Sequence, residues 1–297
     1  MAVETPPGDT LSNMLTYVAE ELETEIGDRI EIERFYSGAR GDEAAILEAV
    51  RAGQIDMVPV GSDIVSLNPI FGILEVPFLF QTRDQVTAIL DGPLGQEMSD
   101  SLEESQGLHV LGFGENGFRH ITNNVRPIVT PEDLNGLTLR VPGVEQRIQT
   151  FEAFGAAPTG LSFDEIYLAL DQGVVDGQEN PLAIIDQFSF YEVQQYLSLS
   201  AHVYTPVTMV INAERWDSLP ADVQEAFDTA VARAVQRSRE DGIAADAELV
   251  ASLEENGMEV NEIDIDAFQE AVVPIWESLK ADVGADFFDR VTAELQG

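Results

Sequence analysis

Ile46-Leu47-Glu48-Ala49-Val50-Arg51-Ala52-Gly53-Gln54-Ile55-Asp56 reads as the end of an apolar helix, a glycine stop, and a short segment reaching an aspartate. About 120 residues later, Tyr167-Leu168-Ala169-Leu170-Asp171-Gln172-Gly173-Val174-Val175-Asp176 repeats the pattern. A left-handed glycine just past the last helical residue is a common way to end a helix and send the chain into the next element. Each stretch is therefore read as one helix–glycine–strand unit. The recurrence fits two similar lobes. Convergent capping chemistry explains it as well, and both readings stand at this point.

Outward from the first of these stretches, helical and strand patterns alternate. Ala2–Glu4 reads as a short strand, followed by the turn residues Pro6, Pro7, Gly8 and Asp9. Leu11, Met14, Leu15, Val18, Leu22 and Ile26 then fall at helical spacing, and Gly27 ends the run. Ile30, Ile32 and Arg34–Phe35 read as a strand, Asp42–Ala52 as a helix, and Ile55–Val60 as a strand. Leu108–Phe113 and Leu137–Val141 read as buried strands with helical segments between and after them. This rhythm predicts an α/β fold of mainly parallel sheets with helices on both faces. From Ala221 to Glu255 the only breaker is Gly242, so one helix is expected there. At 1.5 Å per residue it would reach across more than one lobe.

With 297 residues the chain is longer than most single domains. No run of 18 apolar residues exists to span a membrane. No basic segment followed by an apolar one opens the chain, and Met1 stands almost directly before a strand-like start, as expected of a mature chain. Acidic residues number 54 against 15 basic, a net charge of −39, and Lys280 is the single lysine beside fourteen arginines. Nucleic acid and anionic membranes are poor partners for such a body. The acids are scattered over helix faces, as at Glu20, Glu21, Glu23 and Glu25, which is the pattern of a solvated surface. A halophilic setting fits, because molar salt screens this self-repulsion. The chain has no cysteine, which excludes disulfides, iron–sulfur clusters and thiolate zinc.

Gly112-Phe113-Gly114-Glu115-Asn116-Gly117 matches the dinucleotide fingerprint, but that motif needs a helix next, to meet the pyrophosphate. Phe118-Arg119-His120-Ile121-Thr122-Asn123 reads instead as more strand, and glycines at a bend between lobes are expected. His109, His120 and His202 show no metal-binding spacing, so no metal and no cofactor are expected. Arg119, Arg126, Arg140 and Arg147 crowd into 29 residues where even spreading would place one or two. Arg119 and Arg140 lie in apolar strand-like runs, where a charge must be paired, either with a carboxylate ligand or in a structural salt bridge. Arg126 and Arg147, in a loop and on a helix, read as surface.

The stretch Gly117-Phe118-Arg119-His120, then Pro131-Glu132-Asp133-Leu134-Asn135-Gly136-Leu137-Thr138-Leu139-Arg140-Val141-Pro142, resembles the solute receptors of TRAP (tripartite ATP-independent periplasmic) transporters. So do Phe154-Gly155-Ala156-Ala157-Pro158-Thr159 and Asp176-Gly177-Gln178-Glu179-Asn180-Pro181, and, nearer the N-terminus, Glu75-Val76-Pro77-Phe78-Leu79-Phe80. The resemblance implies a two-lobed, periplasmic-binding-protein-like fold of type II character, with a long helix bridging both lobes. It places lobe I at 1–117 plus 206–245 and lobe II at 118–205 plus 246–297, with the ligand cleft between them. It further implies that Arg140 makes a two-pronged salt bridge to a ligand carboxylate and that Arg119 is a second contact. Asn180 would help hold the carboxylate, and Phe163, in a turn capped by Ser162 and Glu165, would pack on the ligand. Glu4, Glu43, Ser62 and Asp63 would choose the rest of the substrate. Sialate receptors of the family carry a further arginine near position 64, where Ile64 stands here.

A periplasmic, monomeric receptor is thus expected, with a small organic acid as ligand and integral-membrane TRAP subunits as partners. A uronate or similar sugar acid suits the acidic lobe I positions, which accept from hydroxyls. A C4-dicarboxylate is the alternative, and a dehydrogenase-type enzyme is the competing class.

Overall fold

A computed structural model describes residues 1–296. The chain condenses into two compact units, Met1–Asn68, Ala88–Asn116 and Pro206–Ala244 in the first, Pro69–Thr87, Gly117–Thr205 and Ala245–Gly297 in the second. Eight strands are described: β1 (Met57–Val60), β2 (Leu108–Asn123), β3 (Thr138–Val141), β4 (Ala157–Gly160), β5 (Gly177–Pro181), β6 (Tyr196–Leu199), β7 (Tyr204–Asn212) and β8 (Glu259–Glu262). Residues 69–87, expected in the first lobe, belong to the second unit. Their 3₁₀ stretch Pro69–Glu75 packs on helix Ile265–Val283, and Glu75 is ion-paired to Arg147.

In the first unit, Asp9 caps helix Thr10–Ile26 by accepting the Leu11 N–H, and the helix buries Leu11, Met14, Leu15, Val18, Leu22 and Ile26. These six meet Val207, Met209 and Ile211 of β7 and Val223, Phe227 and Val231 of the long helix. Full burial is worth ~1.5–3 kcal/mol for each large side chain, so this seam dominates the unit's stability. β1 runs antiparallel to β7, with Met57 opposite Ile211 and Val60 opposite Thr208. The expected strands at Ala2–Glu4 and Ile30–Phe35 shrink to a single parallel bridge, Ala2 with Phe35. Ser37 and Gly38, at φ 55° and 66°, turn the chain away before a ladder can extend.

β2 is sixteen residues long and runs straight through Gly112–Gly117, so no helix follows the glycines as a dinucleotide site requires. Close packing explains two of these glycines better than bending does. A Cβ at Gly112 would lie 3.0 Å from both Val231 and Val235, and one at Gly114 would lie 3.0 Å from the Met14 sulfur. Helix Ala221–Glu255 is unbroken over its 35 residues, about 52 Å at 1.5 Å each. Gly242 sits inside it because a Cβ there would strike Glu115 at 2.4 Å.

The second unit arranges β2, β5, β3 and β4 side by side. Thr122 of β2 stands opposite Gln178 of β5, Gln178 opposite Arg140 of β3, and Arg140 opposite Thr159 of β4. β6 extends the other edge of β2, and β8 pairs β6. The pairings β3–β4, β3–β5 and β6–β8 are parallel, whereas β1–β7, β2–β5 and β2–β6 are antiparallel. The sheets are therefore mixed, since β2 runs against β5 and β6, and β7 against β1. Phe151, Phe154 and Phe268 meet edge to face in the core beneath, with centroids 5.6 and 4.8 Å apart. Among the described residues no helix is long and apolar enough to cross a membrane.

Candidate functional site

Arg140 is 4% exposed on a strand whose neighbours Leu139 and Val141 are wholly buried. Its Nε and Nη2 donate to one carbonyl, that of Leu161, at 3.0 and 2.6 Å. Leu161 is held in turn by its own N–H, which donates to the Val141 carbonyl at 3.3 Å. The guanidinium fork is thus fixed at the carboxyl end of β3, where α/β sheets place their ligands.

Register brings β5 alongside with Gln178 and Asn180 on one face. The Asn180 amide donates to Gln178 Oε1, Gln178 Nε2 donates to the Thr122 hydroxyl at 3.0 Å, and that hydroxyl donates to Gln194 at 2.9 Å. Asn180 Oδ1 accepts from Arg119 Nη2 at 2.9 Å. The structure therefore joins Arg119 to Asn180 directly.

Arg119 also has a structural partner. Its Nε and Nη2 grip the two carboxylate oxygens of Glu179 at 2.6 and 3.0 Å, and Nη2 reaches the Glu179 carbonyl at 2.7 Å. Of the two roles offered by the sequence, the structure shows the salt bridge, and it orients the guanidinium that holds Asn180. Arg147, expected at the surface, is wholly buried. Its Nη1 donates to Glu179 at 2.6 Å, while Nε and Nη2 take both oxygens of Glu75 at 2.8 and 2.9 Å. His202 Nε2 closes the set on Glu179 at 3.1 Å.

Two guanidiniums and two carboxylates balance, as buried charges must. Burial alone would raise the Glu179 carboxyl, but Arg119 and Arg147 override it and hold it well below the usual carboxylate range. Burial lowers His202 despite Glu179, and lowers His120 to about 3, with His202 and Arg83 adding to it. His120 is therefore neutral, and its Nδ1 accepts the Ala201 N–H at 3.2 Å. Sequence reasoning missed Glu75, Arg147, Glu179 and His202. Glu75 was visible by the rule applied to Arg140: it is a lone charge in the apolar run Ile73-Leu74-Glu75-Val76.

Phe163 is half-buried and meets Phe188 edge to face at 4.7 Å. The Ser162–Glu165 capping box is present, although the turn it caps, Phe163–Glu165, is 3₁₀ before the α-helix Ile166–Asp171 begins.

In the first unit, Glu4, Glu43, Ser62 and Asp63 come together. Glu43 opens helix Glu43–Arg51, its N–H donates to Glu4 Oε2 at 2.9 Å, and its own Oε1 accepts the Gly61 N–H at 2.9 Å. Ser62 and Asp63 follow Gly61 directly, and both are half-buried. Burial, then the charges of Asp63 and Glu4, push the Glu43 carboxyl well above its ordinary range, favouring the protonated form. Among the described residues no group of three or more acids and histidines is disposed to hold a metal ion.

The model of bacterial extracellular solute-binding protein family 7 matches residues 1–282. The chain belongs to this family. It is the family of TRAP solute-binding receptors that the sequence motifs resemble. The 2,3-diketo-L-gulonate-binding periplasmic protein of Escherichia coli is 35% identical over 245 residues, covering 82% of this chain and 74% of that one. A sugar acid binding protein from Advenella mimigardefordensis, solved with galactonate, superposes with a TM-score of 0.94 at 31% identity, over 99% of this chain and 96% of that one. A TRAP periplasmic solute-binding protein from a Sulfitobacter species, solved with β-D-galacturonate, gives 0.92 at 29% identity, over 100% and 98%. Family 7 consists of receptors, and the dehydrogenase reading has lost its one motif to the middle of β2.

Proposed function

We propose that this receptor captures a monocarboxylate sugar acid, a uronate first of all, outside the cytoplasmic membrane and passes it to integral-membrane TRAP subunits. The observation that carries the reading is Arg140, a buried guanidinium fixed at a strand's carboxyl end beside Asn180's strand. A guanidinium so placed donates two parallel hydrogen bonds to a carboxylate. In this reading Arg119 and Asn180 steady the same carboxylate and Phe163 packs on the sugar ring. Glu4, Glu43, Ser62 and Asp63 take the hydroxyls, with protonated Glu43 able to donate as well as accept. The relatives solved with galactonate and galacturonate support this class. A C4-dicarboxylate is the second reading, and it needs a further cation where the first-unit residues named are acidic.

A thermal-shift screen of uronates, aldonates and C4-dicarboxylates identifies the ligand, because a tight ligand stabilises the state it binds by mass action. Arg140→Ala then costs about 2–5 kcal/mol, or roughly 30- to 4,000-fold in affinity by calorimetry. Arg140→Lys fails too, since ammonium lacks the planar fork. A lysine variant of near-parental affinity would remove Arg140 from this role. Ligand closure of the family's kind predicts a smaller radius of gyration on saturation, read by small-angle scattering.

A further inference from the structure

A cavity of about 420 Å³ opens within the first unit, and none of the residues assigned above to the sugar acid lines it. Its floor is an extension of the core: Leu22, Ile30, Ile32, Met57, Leu219 and Phe227. That volume, with an apolar floor and a charged rim, is that of a small-molecule site.

Charge at the rim says which molecule. Arg40 and Phe35 both line the cavity, with the guanidinium 4.0 Å from the ring centroid. In a chain with 54 acids and 15 bases, an arginine finds a carboxylate easily. Arg29, Arg34, Arg51 and Arg215 of the same unit each do so. Arg40 makes no ion pair among the described residues, and the stack on Phe35 leaves the edges of its fork open to a ligand. Three acids share the lining: Asp56 is on Arg215 at 3.2 Å, Glu31 and Glu33 are exposed, and among the described residues none of the three is paired with Arg40. The turn bearing Arg40 is also stapled, by Ala39 N–H to the Tyr36 carbonyl at 3.2 Å and Gly41 N–H to the Gly38 carbonyl at 2.9 Å. Gly38 and Gly41 supply the left-handed φ of 66° and 115° that this tight turn requires.

We propose that this cavity is a second ligand site, taking an apolar monocarboxylate whose tail fills the floor and whose carboxylate pairs with Arg40. The site is independent of Arg140 and of the sugar acid. Calorimetric titration of the full chain with sodium octanoate tests it. One octanoate binds the parent protein, and octylammonium does not. Arg40→Ala, an exposed substitution that leaves the melting temperature unchanged, weakens octanoate at least about 10-fold, the effect of losing a charge-assisted hydrogen bond. Ile32→Trp, which fills the floor, abolishes binding, whereas Arg140→Ala leaves it intact. The proposal is overturned by absence of octanoate binding, by an Arg40→Ala variant that binds like the parent, or by loss in Arg140→Ala instead. That last outcome would put octanoate in the principal site and leave the sugar-acid reading standing.

Discussion

Glu179 in the second unit is wholly buried and Glu43 in the first half-buried, and desolvation pushes both carboxyls upward. They end on opposite sides of the ordinary range. Glu179 receives Arg119 and Arg147 at 2.6 Å each and His202 at 3.1 Å, so it stays an anion. Glu43 receives one backbone N–H, that of Gly61, and faces the charges of Asp63, Glu4 and Asp9, so its carboxyl is pushed well above the ordinary range. Neighbours, not burial, decide the sign. In the function proposed above, the second unit would hold a carboxylate with fixed charges, and the first would meet hydroxyls with a carboxyl able to donate or accept.

The comparison breaks most visibly at Arg147. Arg147→Met leaves Glu75 buried without its cation and costs about 3–5 kcal/mol, read from the midpoint of urea unfolding. Adding Glu75→Leu recovers part of that loss, because an apolar pair replaces an orphaned charge. A single variant costing under about 1 kcal/mol would show that the network does not carry these charges as described. The pH profiles then separate the two glutamates by sign. Glu179 has a depressed folded pKa, so its contribution is present above its unfolded pKa of about 4.3 and is lost as pH falls below that. Glu179→Gln is therefore most damaging at neutral pH, and the gap to the parent narrows in acid. Glu43 has a raised folded pKa, so its contribution is present below about pH 4.3 and is lost as pH rises through the folded value. Glu43→Gln equals the parent near pH 4 and exceeds it at pH 8, by less than Arg147→Met loses. A Glu43→Gln profile parallel to the parent's would mean that Glu43 titrates normally.

What the sequence made legible was local. Helix Thr10–Ile26 buries the residues its spacing names, and the long helix has the bounds that the absence of breakers implies. The two glycine stops also match in detail. Gly53 and Gly173 have φ of 68° and 65°, and in each case the residue after the glycine donates to the alanine carbonyl five back, Gln54 to Ala49 and Val174 to Ala169. β2 was underread because Gly112, Gly114, Glu115 and Asn116 mimic a loop, when the glycines answer to helices contacted far along the chain. The network around Glu179 was hidden for the same reason. Arg147 looks like a surface residue from its helix, and the partner that buries it, Glu75, is 72 residues away. Pattern reports which face is inward, but not which distant charge waits there.

Salt gives the smallest effect and sharpens the same contrast. The net charge of −39 lies mainly on exposed acids, such as Glu48, Asp222 and Asp286 beside their arginines. Exposed pairs of this kind contribute roughly 0–1 kcal/mol each and weaken as salt rises. The repulsion among the surplus acids weakens too, because the Debye length falls from about 30 Å at 0.01 M to about 3 Å at 1 M. With 54 acids against 15 bases, lost repulsion outweighs lost attraction. Melting temperature therefore rises by a few degrees from low to molar sodium chloride. Glu179, with Arg119 and Arg147 around it and no exposed surface, is out of reach of mobile ions. The destabilisation caused by Arg147→Met is accordingly the same at both salt concentrations. A melting temperature that falls with salt would mean that surface attractions win, and a salt-dependent Arg147→Met penalty would mean that solvent enters the network.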